Sequence, residues 1–133
     1  MIPSNQIWWG SGSGGVPVAL YGMTAEGGTS GVGTVFKYDN STITTSNLQH
    51  FTGAANGSSP QDSLIQAANG KLYGMTYQGG TSDLGTLFSY EIGVGLTKLH
   101  DFDGVNIGAS PFGSLIQATN GKLYGMTSQG GVS

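Results

Sequence analysis

"NGKLYGMTYQGG" at residues 69–80 is followed at residues 120–131 by "NGKLYGMTSQGG", and preceded at residues 20–28 by "LYGMTAEGG". Aligning Leu72 with Leu123 gives an offset of 51, and aligning Leu20 with Leu72 gives 52. Of the 18 residues in 63–80, 16 recur unchanged in 114–131. Beyond the phrase itself, Leu48 matches Leu99, Phe51 matches Phe102 and Pro60 matches Pro111. The one-residue slip falls between Asp39 and Leu48, opposite Glu91 to Leu99, where a loop would absorb it. A period near 50 is that of arrays in which each unit is one small sheet.

Within a unit the pattern predicts four strands. The first is "SLIQA" (63–67), and Asn69-Gly70 then reads as a tight hairpin turn with both residues at positive φ. The second is "KLYGMTY", broken by Gly79-Gly80. The third is "GTLFSYE", and the fourth is "LTKLHDF", ended by Asp103-Gly104. No apolar residues recur at helical spacing over a useful length, so helices are excluded. Leu99 and Phe102 stand three apart, which sends them to opposite faces unless a bulge intervenes. "SLIQA" likewise turns Leu64 one way and Ile65 the other. A sheet apolar on both faces must be covered on both, as blades stacked around a propeller axis are. Gly74, between Tyr73 and Met75, leaves room for a neighbouring sheet. The fold expected is therefore all-β: four-stranded antiparallel sheets repeated about every 51 residues as β-propeller-like blades. A β-solenoid ranks second, because 51 residues is long for one coil.

Composition narrows the function. Of the 133 residues 25 are Gly and 37% are apolar, and the apolar ones recur in order, which points to many tight turns rather than disorder. Four Lys, no Arg and a net charge of -3 supply neither the basic stripe that nucleic acid requires nor a bidentate clamp for phosphate. With no Cys there is neither a disulfide framework nor thiol chemistry. No apolar run approaches membrane-spanning length, and "MIPSNQIWWGSGSGG" lacks the regions of a signal peptide, so no membrane insertion is expected. Two regions are expected: an N-terminal strand and Gly/Ser-rich loop over 1–17, and tandem β repeats over 18–133.

"LYGMT..GGTS..GT[VL]F", a Leu and Phe strand, a Gly-x-x-Pro stretch and "LIQA.NGK" together resemble the Gloeobacter–Verrucomicrobia tandem repeat, one of the "choice-of-anchor" group of bacterial surface proteins. The likeness covers about residues 18–133. It implies a propeller-like array that is secreted or anchored at the cell surface. The family commonly carries Thr where Met23, Met75 and Met126 stand here, and it brings no catalytic residues to carry over.

Candidate chemistry is thin. His50 aligns with Asp101 and His100 with Gln49, so the histidines do not form a repeated site and read as structural. "DFDGVN" (101–106) fails the calcium-loop pattern, and its counterpart "HFTGAA" has lost both carboxylates; a polar turn is expected. "GSGSGG" (10–15) fits G-x-G-x-x-G, but a strand pattern with Pro17 follows where a dinucleotide site needs a helix. No Gly-x-Ser-x-Gly elbow and no recurring carboxylate pair is present, so neither an enzyme nor a cofactor is expected. Aromatics outside the repeat are the remaining signal: Trp8, Trp9 and Tyr77, the last standing where the other units have Ala25 and Ser128. They could stack on a sugar ring, or equally pack in the core or a subunit interface.

From Leu20 the chain supplies nine strands, ten with "NQIWW", about two and a half blades, and it stops on a second strand. Open sheet edges invite pairing with another chain. The expectation is a non-enzymatic extracellular or cell-surface module, structural or adhesive, self-assembling as a homo-oligomer or filament. A glycan-binding lectin-like propeller, using the repeated loops 28–33 and 80–85, is the alternative. A fragment of a larger secreted repeat protein is the weaker one.

Overall fold

The computed structural model describes residues 6–9 and 19–132, the first four by their backbone alone. Among them there is no helix. Strands β1 (Gln6–Trp9), β2 (Ala19–Thr24), β3 (Thr34–Asp39) and β4 (Thr44–His50) lie side by side in chain order as one antiparallel sheet. Strands β5 (Ile65–Gln66), β6 (Leu72–Thr76), β7 (Thr86–Glu91) and β8 (Gly95–Asp101) form a second sheet in the same way. The third unit only begins one. There β10 (Ile116–Gln117) pairs with β11 (Leu123–Tyr124), and β9 (Ala109–Pro111) pairs with β12 (Thr127–Gln129).

Strand alternation gives each sheet two faces. On the second sheet, Leu72, Gly74 and Thr76 share a face with their partners Tyr90, Phe88 and Thr86; Tyr73 and Met75 turn the other way with Ser89 and Leu87. The first of these faces meets the first unit. Tyr21, Met23 and Val35 pack with Leu72, Phe88 and Tyr90 in one buried cluster, which Phe51 and Leu64 complete. Phe51 and Phe88 meet edge to face with centroids 5.3 Å apart, a geometry that adds to their area burial. Burial pushes the Tyr21 and Tyr90 hydroxyls above the ordinary tyrosine range, the mark of a poorly hydrated interface. The second face is covered by the third unit, where Met75 and Leu87 face Leu115 and Leu123.

The junction between units is written twice. Ser59 N–H donates to Val32 O at 2.8 Å, and Ser110 N–H donates to Leu84 O at 2.7 Å. Like strands also lie beside like: β1 beside β5 and β4 beside β8. Side chains tie the second unit to the third, as the Ser63 and Ala68 N–H groups donate to Ser114 Oγ and Gln117 Oε1, and Gly113 N–H donates to the Asp62 carboxylate. These bonds also explain why the first strand is shorter than the pattern 63–67 predicts. The backbone at both its ends is committed to the neighbouring unit and to the following turn rather than to a ladder.

Three local expectations are refined. The one-residue slip lies in a hairpin loop, four residues at 40–43 against three at 92–94. Of Asn69-Gly70 only Gly70 has positive φ, 86°. Gly70 N–H closes a turn onto Ala67 O, and the Asn69 carboxamide accepts from Lys71 N–H, so this is a longer hairpin loop ending in a left-handed glycine. Finally, a bulge does intervene before Phe102. Leu87 opposes His100 while Phe88 opposes Lys98, leaving Leu99 as the extra residue, and Leu48 holds the same place in the first sheet. The Leu99–Phe102 spacing therefore reflects the bulge, and the covering of both faces rests on β6 and β7 instead.

Candidate functional site

The third unit presents residues that the second buries. Met75 is 8% exposed and its counterpart Met126 is 76% exposed; Leu72 is fully buried, while Leu123 is half-buried. Tyr124 and Ile116 are also open to solvent. Nothing in the local sequence distinguishes these positions, so the difference is one of neighbours. Tyr124 and Met126 correspond to Tyr73 and Met75, which on the second sheet turn towards the next unit. Between the second and third units runs a cleft of about 240 Å³, lined by Met75, Leu87, Phe102, Leu115, Gly125 and Met126 among others.

The cleft has a filled counterpart one unit earlier. There Phe88 lies over Gly74, so that a Cβ on Gly74 would come within 2.8 Å of its ring and 3.0 Å of Leu64. Phe51 meets the same ring from the neighbouring sheet. At the open end Gly125, Leu115 and Phe102 take the places of Gly74, Leu64 and Phe51. A Cβ on Gly125 would again meet the unit's leucine, Leu115, at 2.8 Å, and next to it Met75 of the second unit at 3.4 Å.

Of the residues singled out in the sequence, Trp8 and Trp9 pair by backbone with Leu20 and Ala19 in β1. Their side chains, like the glycine-rich stretch 10–15, lie outside the described residues. Tyr77 follows β6 in the second unit, away from β1. It is half-buried and meets Phe112 edge to face at 6.2 Å. Phe112 was not singled out, yet a signal existed: like Tyr77 it breaks the repeat, standing where the second unit has Gln61. The two aromatic departures pack on each other at the junction, with Phe112 55% exposed.

The repeated glycine loops are closed upon themselves. Gly33 N–H donates to Gly27 O and Gly85 N–H donates to Gly79 O, while the Asp83 carboxylate accepts from Gly79 N–H. His50 and Asp101 perform one task at matching positions: His50 Nδ1 accepts from Thr29 N–H at 3.1 Å, and Asp101 accepts from both the N–H and the hydroxyl of Thr81. Asp101 also pairs with Lys98 at 2.9 Å. Despite the cost of partial desolvation, these bonds hold its carboxyl below the ordinary range. His50→Asp should therefore give the first loop the cap of the second and add about 0.5–1 kcal/mol of stability. A rise in the urea midpoint at unchanged slope checks this.

The Asp103 carboxylate is occupied in the same way. It accepts from the Asn106 side chain and from the N–H groups of Val105, Asn106 and Ile107, which lowers its pKa to about 2. A carboxylate ringed by its own loop's donors is a turn former. Among the described residues no three His, Asp or Glu side chains converge as a metal site.

With repeat, sheets and junction in view, the chain belongs to the Gloeobacter/Verrucomicrobia repeat family, whose profile matches residues 11–133. Comparison with curated proteins and with solved structures returned no match.

Proposed function

We propose that this chain is a non-enzymatic structural or adhesive module, displayed outside the cell, whose sheets are successive blades of a propeller-like array. In this reading it associates with other molecules through its open third unit. The twice-written junction, with like strands beside like, supports the blade arrangement. The extracellular setting is what the sequence's resemblance to the choice-of-anchor repeats implies. The single observation that carries the reading is the contrast between Met75 and Met126, equivalent positions of two units that are 8% and 76% exposed. An apolar face of this kind, beside an unpaired strand edge, marks an interaction surface.

Light scattering across a range of concentrations tests the proposal. A particle heavier than 13.6 kDa, growing with concentration to a ring or filament, is expected. A cooperatively folded monomer at every concentration would refute self-association. The Tyr77–Phe112 pair, with Tyr77 half-buried and Phe112 exposed, favours the glycan-binding reading as the second one. A melting temperature that rises on adding simple sugars would favour it over the structural one.

A further inference from the structure

We propose that Tyr77 and Phe112, with Gln61 and Asp62 beside them, form a binding site for a neutral hexopyranose unit of a glycan. This deepens the glycan-binding reading above and rests on it.

The second and third units differ at few places. Between residues 60–80 and their counterparts 111–131 the disagreements are Gln61 against Phe112, Asp62 against Gly113, Ala68 against Thr119 and Tyr77 against Ser128. All but the Ala68 position converge in space. The Tyr77 and Phe112 rings meet edge to face, and the Gly113 N–H donates to the Asp62 carboxylate. Gln61 joins them through Ser59 O, which accepts from the Tyr77 N–H at 3.2 Å and from the Gln61 side-chain amide at 3.3 Å. A chain that otherwise repeats itself thus gathers its departures at one spot on the junction between two units.

Packing of the junction does not account for them. Phe51 and Phe88, which do close a junction, are fully buried, whereas Phe112 remains 55% exposed. Gln61 holds the same place in the second unit, which has a described neighbour on either side, and it is exposed as well. The position therefore faces solvent in both units, and in one of them it carries an aromatic ring.

The groups around that ring select a class of ligand. An aromatic face carries partial negative charge and attracts the C–H face of a pyranose, while acceptors beside it take the hydroxyl protons. Among the described residues, the Tyr77 hydroxyl, Gln61 Oε1 and the Asp62 oxygen not bonded to Gly113 have no hydrogen-bond partner. Acceptors of this kind next to an exposed ring suit a sugar's row of hydroxyl donors. A proline-rich segment also packs on aromatics, but its prolines have no N–H to offer these groups. Asp62 and the net charge of -3 turn away uronic and sialic acids, which leaves neutral sugars.

The test is a titration of the isotope-labelled chain with the methyl glycosides of glucose, galactose and mannose, followed by amide NMR. A saturable shift of the Tyr77 and Gly113 amides, both bonded within the cluster, is expected with at least one of the three. Methyl glucuronide should bind about tenfold more weakly or worse. Phe112→Gln and Tyr77→Ser each install the residue that the other unit carries at that place. Cooperative unfolding should therefore be kept while affinity falls about tenfold or more. Sugar binding that persists undiminished in both variants overturns this site and leaves the glycan-binding reading standing. Equal binding of the glucuronide overturns the assignment to neutral sugars. No saturable shift with any of the three neutral glycosides overturns the site and the reading together, and a shift by oligoproline in their place would make this a peptide site instead.

Discussion

Phe88→Ala is expected to cost about 3–5 kcal/mol, whereas Phe102→Ala should cost about 1 kcal/mol, although both phenylalanines belong to the repeat. Phe88 is fully buried, with Phe51 against its edge and Gly74 beneath it. Removing its ring leaves a cavity between two sheets, and the glycine below has no side chain with which to collapse into it. Phe102 is half-buried on the wall of an open cleft, where water replaces a lost ring at little cost. Phe51 and Phe36 make the comparison internal. Phe51→Ala, at the position equivalent to Phe102 but fully buried, should resemble Phe88→Ala. Phe36→Ala, at the position equivalent to Phe88 but half-buried, should be milder. Urea unfolding of the four variants measures this directly. Equal costs within each matched pair would show that the units are stabilised one by one and not by their junctions.

This position dependence explains what the sequence made legible. The strands were readable because alternation, Gly-Gly breaks and the repeat all agreed, and β6, β7 and β8 fall within a residue of their predicted bounds. Short-range patterns carry that information in full. The bulge at Leu99 was foreseeable only as a condition, since an extra residue in a ladder is defined by the partner strand and not by its own. Asn69-Gly70 misled for a related reason. The dipeptide is compatible with two turn geometries, and the carboxamide bond to Lys71 N–H selects the longer one. The candidate site was the least legible part. Met126 reads as core, because "LYGMT" is core wherever a neighbour covers it. His50 and Asp101 look chemically unlike, and their shared role emerges once both are seen accepting from a threonine N–H.

Gly85→Ala should be severely damaging, costing about 3 kcal/mol or more, against about 1 kcal/mol for Gly93→Ala. Both glycines have positive φ, 108° and 86°, so both substitutions carry the strain of placing a side chain in that region. They differ in what the new carbon meets. At Gly93 nothing lies within 4 Å, because the hairpin loop projects into solvent. At Gly85 the Cβ would stand 2.5 Å from Thr76 O and 2.7 Å from Pro111 Cδ. The first neighbour is backbone of the adjoining strand and the second is a fixed ring of the next unit, so neither can turn aside. Relief would have to open the start of the β6–β7 ladder, where Thr76 and Thr86 pair, or push the third unit away from the second. Gly33 repeats the arrangement, with Thr24 O at 2.5 Å and Pro60 Cδ at 2.8 Å. A glycine pinned between a strand carbonyl and the next unit's proline is therefore the hinge of each junction. Gly33→Ala should match Gly85→Ala in cost, and amide hydrogen exchange should show where each acts. Gly85→Ala is expected to release protection at Ser110 N–H, which donates to Leu84 O, and leave Ser59 N–H protected; Gly33→Ala should do the reverse. Loss of both protections in either variant would mean that the junctions open together, as one cooperative unit.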